Sequence, residues 1–311
     1  MRYFISLSYD GSGFCGWQSQ PDAHTVQDSI EKALSALLRC RIRVTGAGRT
    51  DTGVNACGYV AHFDFEGPLD TAQIRYKLNA ILPREIAVHK VLGLCPGSAD
   101  AQGAEYHARF SAVRREYTYF LHTHKDPFTE RYSLLYTFPL DFDAMNRAAA
   151  KLVGTHDFSC FQKVGSDTKS SICTVEEAFW KPYTPSHIAV MGAPAPLPGQ
   201  PEADSFQPSP ANPGFFSRPS PANPDGTSLP SPAASGGSPC IASPVQDYWY
   251  FRISADRFLR NMVRAVVGSL LDVGRGKRSI EDFTLLLSGG SRCDAGESVP
   301  GRPLFLSKVK Y

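Results

Sequence analysis

GAGRTDTGVNACG, residues 46 to 58, places one acid, Asp51, two residues after one base, Arg49, among glycines and small side chains. The segment before it, RIRVTGAG (41–48), reads as a strand. The segment after it, GYVAHFDFEG (58–67), alternates Tyr59, Ala61, Phe63 and Phe65 on one face, as a half-buried strand does. The stretch therefore joins two strands, and it exposes a lone carboxylate at the join.

Three chemistries fit an aspartate in that place. It can be a turn residue that bonds its own backbone. Asp51-Thr52-Gly53 also matches the D-T-G of aspartic proteases, where two carboxyl groups share one proton. Here the approach, Gly48-Arg49-Thr50, is not apolar, and the chain holds no second D-T-G, so a homodimer would have to supply the other copy. The third reading is a single ionised carboxylate beside a cation, facing a substrate. Arg49 is spaced along an extended segment to share that face, and Arg260 and Arg264 are candidate ion-pair partners.

Outward from this stretch, strands and helices alternate. The N-terminus, MRYFISLSYDG, sets Tyr3, Ile5, Leu7 and Tyr9 against Arg2, Ser6 and Ser8, which predicts a strand and leaves no apolar core of the signal-peptide kind. A turn-rich segment, DGSGFCGWQSQPDAH, leads to a helix in which Thr25 caps, Asp28 stands at the third position, and Val26, Ile30, Ala33, Leu34, Leu37 and Leu38 recur at helical spacing. Further on, the pattern predicts a helix over 71–82, a strand over Ile86–Leu94 and one long strand over HARFSAVRREYTYFLHTH (107–124). Helical spacing returns at Phe142–Val153, and GTHDFSCF then turns into a packed aromatic segment. SHIAVM and DYWYFRIS read as two strands able to pair as a hairpin. RFLRNMVRAVVGSLLDVGRG (257–276) is the strongest helix signal, with Phe258, Leu259, Met262, Val263, Val266, Val267 and Leu270 forming an apolar side and Gly274 or Gly276 ending it. On that helix Arg260 and Arg264 lie one turn apart. PLFLSKVKY closes as a strand, and the class is mixed α with β.

Composition bounds the partners less than it bounds the compartment. A net charge of +2 on 311 residues does not announce nucleic acid, so any basic surface depends on where the 32 Lys and Arg stand. Eight cysteines with no C-x-x-C pair and no metal-type spacing read as reduced thiols of a cytoplasmic protein, and no metal site is expected. No apolar run approaches the roughly 18 residues a membrane helix needs. Residues 192–245 hold 14 of the 24 prolines and the near-repeat SPANP (209–213 and 220–224), which predicts a flexible insertion.

YDGSGFCGWQSQ (9–20), TVQDSIEKAL (25–34), GAGRTDTGVNACG, HARFSA (107–112), RREYTYF (114–120), GTHDFSCF (154–161), RFLRNMVRAVVGSLLDVGRGK (257–277) and PLFL (303–306) together resemble the tRNA pseudouridine synthase A family, in that family's order and over nearly the whole chain outside the insertion. The resemblance implies two ferredoxin-like α+β halves, 1–105 and 106–311, whose antiparallel sheets meet at a central cleft. It implies isomerisation of uridine to pseudouridine at positions 38, 39 and 40 in the tRNA anticodon stem-loop, by a homodimer and with no cofactor. Carried over position by position, Asp51 is the catalytic residue and Tyr117 lies against the target base. Arg264 is matched to the ion-pair partner of the aspartate, with Arg260 as the alternative, and Leu304 forms the apolar wall of the base pocket. Pro303 stands where the family usually has glycine, which sets the local backbone at Leu304 apart. Arg109, Arg114, Arg115, Lys163, Arg257, Arg260 and Lys277, threaded among aromatics, are candidate phosphate contacts that fix register without reading sequence.

Overall fold

The computed structural model describes residues 1–95, 97–100, 103–165, 168, 170–191 and 246–311, so the expected insertion at 192–245 lies outside the described residues. The chain divides into two compact units. The first is Met1–Tyr183 with Tyr248–Tyr311, and the second is Thr184–Asp247. In the second, the helix α4 (Ser186–Met191) is described; SHIAVM is thus helical, not the strand expected from its apolar residues.

The large unit is built on one mostly antiparallel sheet. Its strands are β1 (Arg2–Tyr9), β2 (Val44–Gly46), β3 (Asn55–Asp64), β4 (Ile86–Gly93), β5 (Arg114–His122), β6 (Leu134–Leu135), β7 (Gly154–Asp157), β8 (Ile172–Pro182), β9 (Tyr248–Ala255) and β10 (Leu304–Lys310). They run in the order β4-β1-β3-β10-β5-β9-β8-β7, with β2 on β3 and β6 on β5. β9 lies between β5 and β8, pairing with β5 from Arg115↔Ala255 to His122↔Tyr248 and with β8 from Val175↔Ala255 to Pro182↔Trp249. The helices are α1 (Val26–Leu38), α2 (Thr71–Ile81), α3 (Phe142–Ala150), α5 (Met262–Gly274) and α6 (Ile280–Leu285).

One face of the sheet carries the core. Tyr3, Ile5, Leu7 and Tyr9 alternate on β1 and are all buried, and across β10, β5 and β9 the register sets Leu304 beside Tyr119 and Phe251, and Leu306 beside Tyr117 and Ile253. The apolar side chains fall into two groups along this face. One joins β1, β3 and β4 to Val26, Ile30 and Leu34 of α1 and Ile74 and Leu78 of α2. The other joins β5, β8 and β9 to α3, α5 and α6. Tyr117 packs against both. Between the groups, β10 meets β3 in a short parallel pairing, Phe305↔Asn55 and Leu306↔Ala56. The Asn55 side chain secures that joint from both sides, accepting from the Gly11 N–H at 2.8 Å and donating to the Arg302 carbonyl at 2.6 Å.

Two elements depart from the pattern read in the sequence, each for a local reason. The strand expected over 107–124 begins only at Arg114, because side chains claim the backbone before it: the His107 ring accepts from the N–H groups of Arg109 and Phe110 at 3.1 and 3.3 Å. The long helix begins at Met262, not 257, since Asn261 adopts φ 69°, a left-handed conformation that helices cannot contain. Nor is α5 apolar on one side only. Eleven of its residues are buried, all except Arg264 and Asp272, so it is a core helix wrapped on every side.

Candidate active site

Asp51 sits in the loop between β2 and β3, and that loop is pinned against the turn-rich segment after β1. The Trp17 N–H donates to the Thr50 carbonyl at 3.3 Å, the Gly53 N–H to the Phe14 carbonyl at 3.4 Å, and the Tyr9 hydroxyl pairs with Thr50 Oγ1 at 2.9 Å. Two glycines make this approach possible. A Cβ on Gly11 would collide with the Val54 carbonyl, and one on Gly16, at φ 84°, with the Thr50 carbonyl. At the loop's far end Val54 is buried among the apolar residues of α5, β5 and β9. The loop is thereby held by backbone bonding and an apolar anchor, and among the described residues the Asp51 carboxylate makes ion pairs but no hydrogen bond that fixes the loop.

Two arginines flank it. Arg264 Nη1 lies 3.5 Å from Oδ2, and Arg260 Nε lies 3.7 Å from Oδ1. Arg264 is the one polar side chain of the first turn of α5, and its Nε is anchored by a 2.7 Å bond to the Val299 carbonyl. Arg260 approaches from the preceding turn, not from the helix, because α5 starts two residues later. The two are therefore not alternatives on one helical face but a pair closing on opposite oxygens. Arg264 and Asp51 have side chains 23% exposed, Arg260 is 51% exposed, and the Arg264 pair is accordingly the less screened. Both separations exceed the roughly 2.7–2.9 Å of a charge-assisted hydrogen bond. The negative charge is balanced while the carboxylate lone pairs stay available for chemistry.

Tyr117 looks into the same place. Burial pushes its phenol pKa up, and the charge of Asp51 adds to the rise. The ring is held edge-on by Phe258, with centroids 5.0 Å apart. Leu304 is buried in the same apolar group as α5 and pairs in register with Tyr119. Asp51, Arg260, Arg264 and Tyr117 are brought together from four segments, 213 residues apart at the extremes.

The description that fits the chain is found among known proteins. Residues 5–111 and 148–311 match the family model for tRNA pseudouridine synthases. The chain belongs to the tRNA pseudouridine synthase family. The members of this family are isomerases that convert uridine to pseudouridine in tRNA. Similar proteins include a tRNA pseudouridine synthase A of Bacteroides fragilis, 39% identical over 311 residues, covering 100% of this chain and 96% of the relative. One of Bacillus subtilis is 33% identical over 315 residues, covering 100% and 99%.

The remaining basic candidates divide sharply. Arg49 is exposed and makes no ion pair among the described residues, so it does not join Asp51. Arg109 is exposed with its guanidinium 5.5 Å from the Phe110 ring centre, and Lys277 is exposed beyond α5. Lys163 is exposed, and its N–H donates to the Arg260 carbonyl at 3.0 Å, tying the two basic turns together. Arg257, half-buried, donates its N–H to Asp256 at 2.7 Å. Arg114 is engaged by Glu176 at 2.6 Å, by Glu177 at 3.5 Å and by the Ser254 hydroxyl. Arg115 is bonded to backbone carbonyls alone. Among the described residues no group of three or more His, Cys, Asp or Glu is arranged to hold a metal ion, and no helix is long and apolar enough to cross a membrane. The seven described cysteines are free thiols. One carboxylate between two cations is also not the carboxyl pair of an aspartic protease, in which like charges must share a proton.

The sequence reading passes over Asn55 and takes Phe258 only as part of a helix's apolar side, although both lie inside quoted motifs. Asn55 follows Asp51 by four residues in GRTDTGVNA, and its two-sided bonding only becomes visible once Gly11 and Arg302 are folded against it.

Proposed function

We propose that this enzyme isomerises uridine to pseudouridine at positions 38, 39 and 40 of the tRNA anticodon stem-loop, as a cytoplasmic homodimer that needs no cofactor. The observation that carries the reading is the Asp51 carboxylate, charge-balanced by Arg260 and Arg264 with its lone pairs unclaimed, beside the ring of Tyr117. In the reaction the N1–C1′ bond of the uridine breaks, the uracil turns in place, C5 bonds to C1′ and loses its proton to solvent, and N1 takes up a proton. A carboxylate serves this by meeting the positive character that develops at C1′ or by taking a sugar proton. Tyr117 offers the base an aromatic face in exchange for the stacking lost when the nucleotide leaves its helix.

The organisation in two halves, 1–105 and 106–311, is part of this reading. Its support is the division of the core into two apolar groups along one sheet, with Tyr117 touching both. Exposed Arg109 and Lys277 are placed to meet phosphates.

The test uses tRNA tritiated at C5 of its uridines. Isomerisation must release the label to water, and substrates with uridine only at 38, 39 or 40 resolve the positions. A chain that binds this tRNA without releasing tritium is a binding protein, and the proposed activity is then wrong.

A further inference from the structure

Arg115 reads in the sequence as one more phosphate contact, yet its guanidinium has no room for one. Nη1 donates to the carbonyls of Ala112 at 2.9 Å and Asp256 at 2.8 Å, and Nη2 donates to those of Arg109 at 2.6 Å and Ala47 at 3.2 Å. Among the described residues it makes no ion pair. Burial accordingly lowers its pKa from the ordinary arginine value, a shift that a free phosphate ligand on the surface would not share.

The identity of the four acceptors matters more than their number. Ala47 is the first residue after β2 and opens the Asp51 loop. Asp256 opens the turn that carries Arg260 into position and ends at Asn261. Arg109 and Ala112 belong to the turn that precedes β5 and displays Arg109 and Phe110 to solvent. Backbone bonds tie each turn separately to its neighbouring strand, Ala47 N–H to Val60 at 2.9 Å, Asp256 N–H to Thr174 at 3.1 Å and Val113 N–H to Lys310 at 2.9 Å. The Arg115 fork bonds all three turns at once.

We infer that Arg115 is a positioning residue for this active site: its guanidinium sets the Asp51 loop, the Arg260 turn and the Arg109–Phe110 turn in one register. The inference rests on the proposed isomerase reading. A lysine cannot substitute, since three donors on a tetrahedral ammonium cannot reach four carbonyls spread around a planar fork. Displacing a catalytic group by about 1 Å costs on the order of 100-fold in rate, whereas a phosphate contact contributes to affinity and to its salt dependence.

The experiment compares Arg115→Lys and Arg115→Gln with the parent chain by single-turnover tritium release, by tRNA affinity across a salt series, and by amide hydrogen exchange. Release is expected to slow by about 30- to 100-fold while affinity stays within about threefold and the salt slope is unchanged. Amides of 47–53 and 256–261 are expected to exchange faster in both variants. That last readout needs no activity, so a parent chain that releases no tritium sinks the isomerase reading and leaves the register claim to be judged by exchange. Weaker binding with a salt slope lower by about one contact and an intact rate overturns the inference. So does unchanged exchange in those two segments, and so does failure of both variants to fold, since the guanidinium would then support the sheet as a whole.

Discussion

The ground around Asp51 and the ground around Arg115 are both built from arginine and backbone, and they are finished in opposite ways. At Arg115 four donors meet four carbonyls at 2.6–3.2 Å. At Asp51 two guanidiniums stop at 3.5 and 3.7 Å from the carboxylate, whose charge reaches the Tyr117 phenol. A buried polar group left short of ideal bonding costs free energy, and folded chains tolerate that where a ligand will complete the arrangement. The contrast separates arginines that hold the structure from arginines left for the substrate, a distinction that charge counting cannot make.

The sharpest way to break the contrast is at the carboxylate itself. Asp51→Asn preserves shape and removes the charge. Since nothing in the loop's anchoring uses the side-chain oxygens, folding and tRNA affinity should survive while tritium release falls by at least about 1,000-fold. Appreciable release by this variant would take Asp51 out of the chemistry.

The next effect separates the two flanking cations. Arg264→Ala removes a partner that is 23% exposed and anchored to Val299, and turnover should drop by on the order of 100-fold. Arg260→Ala removes a partner 51% exposed, where a screened pair is worth about 0–1 kcal/mol, so turnover should fall by at most about fivefold and the salt slope of tRNA binding should decrease. Equal losses in the two variants would mean that exposure does not rank them.

A third effect is smaller in affinity than in rate. Tyr117→Phe keeps the ring and should bind tRNA as the parent does, whereas Tyr117→Ala loses a stacking face worth about 1–3 kcal/mol and the edge contact that Phe258 makes with it. Large and equal affinity losses in both would assign the role to the hydroxyl.

Much of this was legible in the sequence, and the parts that were not share a cause. Alternation along β1 and β3, the Thr25 cap of α1 and the helical spacing of apolar residues after Met262 are local signals, read within a few residues. The family motifs pointed to Asp51 and Arg264, and the fold sets these two 3.5 Å apart. What escaped was set by groups distant in the chain. The left-handed turn at Asn261, which moves Arg260 off the helix, is held by a 2.7 Å bond to Ser298, 37 residues on. The fate of Arg115 depends on carbonyls at 47 and 256, and the pairing of Arg114 on Glu176 and Glu177 of another strand. A basic residue in a strand reads the same whether it meets phosphate, carboxylate or carbonyl.

The smallest expected effect concerns the turn that Arg115 grips, seen from its other side. His62, on β3, is buried, and its Nδ1 accepts from the Ala108 N–H at 3.1 Å, so the ring must be neutral to hold the turn. Burial is the main cause that lowers its pKa from 6.5 to about 4, and the charges of Arg2 and His107 push the same way. The unfolded chain therefore binds the proton first. Between pH 6.5 and 4 it carries more protons than the folded chain, so stability held above pH 6.5 is lost as the pH falls toward 4. The neighbouring Asp64 carboxylate opposes the shift, and solvent reaches part of the ring's surroundings, so we expect a loss of about 1–2 kcal/mol, less than the full shift would imply. Thermal melts of the parent chain and of His62→Asn, in which an amide oxygen can still accept from Ala108, should diverge at pH 7 and converge by pH 4.5, the variant showing the shallower fall. Parallel melting curves for the two chains would show that the turn takes no part in acid sensitivity, and would leave Arg115 as its main tether.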